Sequence, residues 1–156
     1  MRPEAEAAGE AAHFRALESL WPPCRCEPVV RVDDGDRRGR LRPIRLEVRE
    51  DLFHPAGAAR GTLYFKMMDD AAVYACNSLG TDRFLLTTAF NLLFTRPLRS
   101  GPVVAEGRWA SGRRRVYGGE ARLIASGGEL AASGAGTFMR SHIPLSTLAG
   151  YRPGGA

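Results

Sequence analysis

Two adjacent carboxylates, Asp69 and Asp70, lie inside the longest helical pattern of this 156-residue sequence. The pattern runs from Thr62 to about Leu79 and is apolar over most of its circumference, which is typical of a buried helix. The same-face neighbours of Asp69 are apolar, apart from Lys66 three residues before it. Because burial makes an ionised carboxylate costly and raises its pKa, Asp69 is a candidate general base or nucleophile.

Asp70 points about 100° away from Asp69 in a helix and lies one turn after Lys66. The spacing therefore predicts an i, i+4 ion pair between Lys66 and Asp70. Two alternatives stay open. Either carboxylate can have a structural role only, as a cap or as a bridge to a neighbouring element. A shift of the helix register by one residue would also make Asp70 the catalytic candidate.

Gly61 stands at the entrance of this helix, eight residues before Asp69. The first backbone N–H groups of a helix have no partner within it, and the positive end of the helix dipole lies behind them. A glycine at this point lets a substrate approach the main chain closely. Gly61 is therefore a candidate oxyanion donor, although it can equally serve the turn alone.

The elements that must position these residues follow a simple order. An amphipathic helix from about Glu4 to Leu20 ends at Trp21-Pro22-Pro23, because proline cannot continue a helix. A short strand is possible at Val29–Val32, and apolar and charged residues alternate over Ile44–Val48, which predicts a half-buried strand. Four more strands with Gly-containing connections are predicted after the central helix, at Phe84–Thr95, Val103–Ala110, Val116–Ala125 and Leu130–Arg140.

This order predicts an α+β fold, in which a single curved antiparallel sheet wraps around one long central helix and an extra helix precedes it. The length fits one domain by the usual range of about 100–200 residues. We divide the chain into an N-terminal helical extension and linker over 1–40, the main domain over 41–145 and a flexible tail over 146–156.

The net charge of +5 does not by itself predict nucleic-acid binding. Lys66 is the only lysine among 22 basic residues, and most of the arginines are spread along the chain instead of forming a patch that could follow a phosphate backbone. No stretch approaches the roughly 18 apolar residues that a membrane span needs. The N-terminus has no apolar region of the secretory type. We expect a cytoplasmic protein.

The three cysteines predict neither a metal site nor a disulfide framework. Cys24 and Cys26 form a C-x-C without a second ligand pair. Cys76 falls in the central helix, where a small core residue is expected. An odd cysteine count fits a reducing compartment. His13 and His142 are expected on the surface.

The loop and the central helix resemble those of the hot-dog-fold acyl-CoA thioesterases of the phenylacetic-acid-pathway type. The family pattern is Asn-x-x-Gly-x-x-His-Gly-Gly, then an aspartate inside the helix and small residues after it. The corresponding residues here are His54, Gly57, Arg60, Gly61, Thr62, Asp69 and Ala71. Strand signatures of the family resemble Phe90-x-x-x-Phe94-x-Arg96-Pro97, Gly112-Arg113 and Ala135-Gly136-Thr137-Phe138. The resemblance covers roughly residues 44 to 141 and implies the hot-dog fold.

The resemblance implies four catalytic residues. Asp69 matches the family's catalytic acid, which acts as general base on water or as nucleophile. Gly61 matches the residue whose N–H polarises the thioester carbonyl. His54 stands where many members have an asparagine that positions water or the carbonyl. Thr87 falls where some members place a Ser or Thr that reaches the site of the partner subunit.

Six more residues are expected to bind substrate. Three of them lie in a later hairpin where other members contact the CoA phosphates: Ser111, Gly112 and Arg113. Arg60 replaces the usual histidine, and it could pair with Asp69 or bind a pyrophosphate or carboxylate. Thr62 replaces the second glycine, and its side chain narrows the space through which a substrate approaches the main chain at the helix start. Asp70 stands where a small residue or threonine is common.

We therefore predict hydrolysis of an acyl-CoA thioester, with no metal and no cofactor, since CoA is part of the substrate. The resemblance implies a homodimer or a dimer of dimers with active sites at the subunit interface. Nucleic acid and membrane are not expected as partners. Two alternatives stay open: a hot-dog enoyl-CoA hydratase or dehydratase that pairs His54 with Asp69, and a non-catalytic acyl-CoA or lipid-binding module, which Arg60 and Thr62 favour.

Overall fold

The computed structural model describes residues 9, 12, 13, 15–17, 31, 32, 42–80 and 82–151. The strands are β1 (Arg31–Val32), β2 (Arg42–Val48), β3 (Phe53–His54), β4 (Ala58–Ala59), β5 (Arg83–Phe94), β6 (Gly101–Ser111), β7 (Val116–Ile124) and β8 (Leu130–Pro144). Six of them form one antiparallel sheet in the order β1-β2-β6-β7-β8-β5, and β3 pairs with β4 separately. The curved sheet packs on one central helix, so the predicted α+β hot-dog architecture is confirmed.

The predicted strands agree closely with the observed ones. On β2, Ile44, Leu46 and Val48 are buried while Arg45 and Glu47 are exposed, which is the alternation that the sequence shows. Part of the short strand predicted before β2 is observed as β1; its first two predicted residues, 29 and 30, lie outside the described residues. The last strand, β8, continues four residues beyond the predicted end and reaches Pro144.

The central helix spans Gly61–Asn77, one residue earlier at its start and two residues shorter at its end than predicted. Met67, Met68 and Ala71 on the side that faces the sheet are almost completely buried. The sheet curves around this side only. The helix therefore has one open stripe, where Thr62 and Phe65 are exposed and Lys66, Asp69 and Asp70 are half-buried.

Gly107 on β6 sets how closely the sheet approaches the helix. A Cβ atom at this position would lie 1.9 Å from the carbonyl oxygen of Ala71 and 2.6 Å from the backbone nitrogen of Ala72. Only a glycine permits this contact between backbones. At Gly119 on β7, a Cβ would lie 2.8 Å from the Phe138 ring and 2.9 Å from a second side chain, so that contact is tight but less severe.

A second, smaller core joins the two ends of the described chain. Leu17 of the N-terminal helix packs with Tyr74, Leu145 and Tyr151. His13 lies in this core, 3% exposed, and shares a hydrogen bond with the Tyr151 hydroxyl. The expectation that His13 lies on the surface is therefore wrong, because the tail supplies a polar partner for the buried ring.

The packing of this second core also bears on the expected flexible tail. Tyr151 is 7% exposed, so the tail is packed at least to this residue. The domain boundaries themselves stay a prediction. His142 is exposed, as expected.

Cys76 is fully buried in the central helix, as the sequence predicted, and burial raises the pKa of its thiol to about 12. Cys24 and Cys26 lie outside the described residues. Among the residues that the structure describes, no helix is both long enough and apolar enough to cross a bilayer.

Candidate active site

Asp69 and Thr87 meet on the open side of the central helix. The Thr87 hydroxyl lies 3.0 Å from Oδ1 and 3.1 Å from Oδ2 of Asp69 and donates to the carboxylate. The pairing of β5 with β8 shifts register between Thr87 and Ala89, which marks a bulge. Bulges re-aim side chains, and this one allows Thr87 and Phe90, three residues apart, both to face the helix.

Burial is the main cause of a raised pKa at Asp69. The hydrogen bond from Thr87 lowers this pKa, the negative charge of Asp70 raises it and the positive charge of Lys66 lowers it, in that order of size. The predicted i, i+4 ion pair is confirmed, with Lys66 Nζ 2.8 Å from Asp70 Oδ2. The two adjacent carboxylates thus have different surroundings, since Asp69 is held by a hydroxyl and Asp70 by an ammonium.

Gly61 borders a second part of the candidate site, an open cavity of about 430 Å³. His54 lines the same cavity, which is otherwise formed by Ala58, Ala59, Tyr64, Phe94, Thr95, Arg96 and Pro97. The Phe94 ring lies 3.4 Å from the point where a Gly61 Cβ would stand. The ring nitrogen Nδ1 of His54 accepts a hydrogen bond from the Ala56 N–H, at 3.1 Å, which leaves Nε2 as its other polar atom.

Arg60 does not pair with Asp69. It is the N-cap residue of the helix, and its Nε donates to the carbonyl oxygen of Phe53 at 3.0 Å. The possibility that Arg60 lowers the pKa of Asp69 is therefore not realised in this structure. Thr62 is exposed on the first turn beside it. Both residues adjoin Gly61, and their roles in substrate binding stay a prediction.

Within one chain the two parts of the site are separate. Gly61 and Asp69 are eight residues apart in one helix, which corresponds to about 12 Å along its axis. Neither Asp69 nor Thr87 lines the cavity beside Gly61. The structure therefore brings Asp69 together with Thr87, and Gly61 together with His54, but it does not bring the two pairs together in a single copy.

The β6–β7 hairpin carries the residues that were expected at the CoA phosphates. Gly112 has a φ of 74°, and a Cβ there would lie 2.1 Å from the carbonyl oxygen of Val116, so glycine is required by the turn. The Trp109 indole N–H donates to the Gly112 carbonyl oxygen at 2.7 Å. The Arg113 guanidinium lies 4.6 Å from the centre of the Trp109 ring, a cation–π contact. Ser111 and Arg113 are exposed.

Aromatic residues flank both half-sites, the Asp69–Thr87 pair and the cavity beside Gly61, and the sequence analysis assigned them no role in the site. Phe65 is 42% exposed one turn before Asp69, and its ring packs edge-on against Phe90 with centroids 6.0 Å apart. Tyr64 donates to the Arg96 carbonyl oxygen at 2.9 Å, which fixes its ring beside Phe94. The spacing of Phe65 four residues before Asp69 was a signal that these rings would flank the carboxylate.

The described part of the chain holds no group of three or more His, Cys, Asp or Glu side chains that could bind a metal ion. Asp69, the acid of the candidate site, has a hydroxyl and a neighbouring ion pair as its polar surroundings. Such surroundings suit a carboxylate that works by proton transfer or by direct attack.

The chain is similar to known thioesterase proteins in sequence and fold. The model of the thioesterase superfamily matches residues 56–132. A conserved protein of Pseudomonas aeruginosa, PA5202, is 29% identical, with a TM-score of 0.65 over 72% of this chain and 88% of that one. A variant of the phenylacetic acid degradation protein PaaI from Thermus thermophilus is 25% identical, with a TM-score of 0.63 over 72% and 93% of the two chains.

A further solved structure, PaaI from the phenylacetic acid degradation operon of E. coli, is 18% identical, with a TM-score of 0.67 over 74% of this chain and 81% of that one. At this identity the similarity shows the fold alone. None of the curated proteins matches the sequence.

Proposed function

We propose, from the match to the thioesterase superfamily over residues 56–132, that the chain hydrolyses an acyl-CoA thioester to the free acid and CoA. The observation that carries the proposal is the half-buried Asp69 carboxylate, held by Thr87 on the open side of the helix. Burial raises the pKa of this carboxylate, and a raised pKa makes the ionised form a stronger proton acceptor. Asp69 then activates water or attacks the thioester carbon directly.

Gly61 supplies the second part of the proposed chemistry. It is the first residue of the helix, so its N–H has no acceptor within the helix and points along the positive end of the dipole. The adjoining cavity gives a thioester carbonyl room to approach this N–H. An oxyanion donor of this kind typically contributes about 100- to 1000-fold in kcat.

Two copies of the chain complete the proposed site. If Asp69 attacks the carbonyl carbon whose oxygen Gly61 binds, both groups must lie within about 3–3.5 Å of adjacent atoms. The separation of about 12 Å along one helix does not allow this. We infer that Gly61 of one copy faces Asp69 of another, in a homodimer or a dimer of dimers.

The direct test is thiol release from a panel of short, long and aromatic acyl-CoA substrates, with enoyl-CoA hydration measured in parallel. Asp69→Asn should lower kcat by at least about 100-fold, since positioned bases contribute roughly 100- to 10,000-fold. The folded state should persist, as judged by circular dichroism. Undiminished turnover by Asp69→Asn on every substrate that the wild type cleaves would contradict the assignment.

A proline at position 61 tests the oxyanion donor separately. Gly61→Pro removes the N–H, and proline is well tolerated at the first position of a helix. Arg60 has φ −64° and ψ 145°, a conformation that suits the residue before proline. Gly61→Ala is the matched control, because it keeps the N–H and places its Cβ 3.4 Å from a movable Phe94 ring. We expect Gly61→Pro to lose far more activity than Gly61→Ala.

Mixing two inactive variants tests the shared site. After denaturation and refolding together, Gly61→Pro and Asp69→Asn form hybrid dimers in which one of the two sites has both wild-type groups. Activity should recover to about a quarter of the wild-type value if hybrids form at random in a two-fold dimer. If both groups acted within one copy, no site would be intact and no recovery would occur.

A further inference from the structure

Three charged side chains lie within little more than one turn of the central helix. Lys66 and Asp70 form the ion pair at 2.8 Å, and their side chains are 29% and 16% exposed. Lys66 lies three residues before Asp69 and is its neighbour on the helix surface, while Asp70 directly follows Asp69 in the chain with its side chain about 100° further around the helix. In this partly desolvated setting a charge acts more strongly than it would in water.

Helix stability gives little reason for this ion pair. A carboxylate that precedes a lysine by four residues stabilises a helix more than the reverse order, and here Lys66 precedes Asp70. The residue type is also unusual for this chain, because Lys66 is the only lysine among its 22 lysine and arginine residues. A lysine ammonium is a compact point charge, whereas a guanidinium spreads its charge over a planar fork.

The two members of the pair act on Asp69 in opposite directions. The charge of Asp70 raises the pKa of Asp69 and the charge of Lys66 lowers it. From the strand packed against this stripe, the group that faces the carboxylate is the Thr87 hydroxyl. Charges on the same helix can thus change the pKa of Asp69 independently of the Thr87 hydrogen bond that orients the carboxylate.

We propose that Lys66 and Asp70 are a positioning pair for the reaction, in which Lys66 keeps the Asp69 carboxylate ionised and Asp70 holds the ammonium away from it. Without Lys66, two adjacent carboxylates would repel each other and Asp69 would take up a proton more readily. Without Asp70, the Lys66 ammonium would turn toward Asp69 and form an ion pair with it. This ion pair would make the Asp69 carboxylate a weaker base. This inference rests on the proposed role of Asp69 and deepens it.

The test compares Lys66→Met, Asp70→Asn and the double variant with the wild type. The 13C resonance of the Asp69 carboxyl, assigned from its absence in Asp69→Asn, is titrated in the unliganded protein. The pH profile of kcat/KM for an acyl-CoA is measured in parallel. The midpoint of the titration and the acid limb of the profile should move to higher pH in Lys66→Met and to lower pH in Asp70→Asn.

The size of these effects follows from the partial exposure of the pair. At a pH below the acid limb we expect kcat/KM to change about two- to threefold, which is the effect typical of partly exposed helix pairs. In Lys66→Met this change is a decrease in kcat/KM. The double variant should lie between the single variants, and Lys66→Arg, which keeps the charge but spreads it over a planar fork, should restore only part of the wild-type profile. If Lys66→Met does not fold, Lys66→Gln takes its place.

The two measurements separate the possible failures. Midpoints that stay unchanged, or that move in the same direction in both single variants, would overturn the role of the ion pair whatever the activity. Absence of thiol release from the wild-type protein would contradict the proposed function, while the carboxyl titration would still decide the electrostatic inference. If the single variants shift in opposite directions in the titration and in the pH profile, the role of the ion pair and the proposed function are both supported.

Discussion

The contact between Gly107 and the central helix gives a severe test of how the helix and the sheet fit together. A Cβ at residue 107 would stand 1.9 Å from the Ala71 carbonyl oxygen. Ordinary van der Waals contact needs at least about 1.5 Å more, and the obstacle is helix backbone, which cannot rotate away as a side chain can. In Gly107→Ala the whole helix must therefore shift away from β6.

The cost follows from what that shift would disturb. Ala71 and Ala72, which adjoin the contact, are fully buried, so the shift would open gaps in closely packed surroundings. Overpacking of this kind usually costs about 1–3 kcal/mol, and we expect about 3 kcal/mol from Gly107→Ala because backbone must move. For a domain of this size that corresponds to a fall of roughly 6–12 °C in Tm. A displacement of Asp69 by about 1 Å should also lower kcat about 100-fold.

Urea unfolding at fixed protein concentration measures this cost, with the m-value as the check that the transition itself is unchanged. Gly119→Ala is the matched control. Its Cβ would meet two side chains, the Phe138 ring at 2.8 Å and Cys76 Sγ at 2.9 Å, and the nearest backbone atom, the Ala72 carbonyl oxygen, only at 3.2 Å, so a smaller loss of about 1 kcal/mol is expected. Equal losses in the two variants, or a loss below about 0.5 kcal/mol in Gly107→Ala, would refute the inferred contact.

Three further predictions concern the site. Because burial raises the pKa of Asp69, ionisation of this group opposes folding as the pH rises through its folded-state pKa. Asp69→Asn should therefore be as stable as the wild type or more stable at neutral pH, and urea titrations should show this difference vanishing as the pH falls below the ordinary value of 3.8. Thr87→Val removes the hydrogen bond that lowers the same pKa, so the acid limb of the pH–rate profile should move to higher pH, while Thr87→Ser should leave it in place. Tyr64→Phe deprives the buried Leu98 N–H of its acceptor at 2.6 Å, and the free energy of unfolding should fall by about 1–3 kcal/mol.

Local patterning predicts most of the fold in this chain. The alternation of apolar and charged residues on β2 is visible in the sequence because one face of that strand is buried and the other is exposed to solvent. The limits of the central helix follow within two residues from its apolar periodicity. The i, i+4 pair of Lys66 and Asp70 is likewise local, and the structure contains it.

The parts that were missed depend on contacts between distant residues. The burial of His13 depends on Tyr151, 138 residues away in the sequence. The bulge next to Thr87 depends on how β5 pairs with β8, which no spacing within β5 determines. The open stripe of the central helix arises because the sheet encloses one side only. The assignment of catalytic roles stays a prediction, since the two half-sites lie about 12 Å apart along one helix.

The buried thiol of Cys76 provides a way to detect when the helix and the sheet separate. With a pKa of about 12 and no exposed surface, the group reacts with a thiol dye only when the core around it separates. A chain carrying Cys24→Ser and Cys26→Ser would then have one thiol, which is labelled once in each molecule after the helix has separated from the sheet. At dye concentrations where labelling outpaces reclosing, the labelling rate equals the rate at which the helix and the sheet separate in the folded protein.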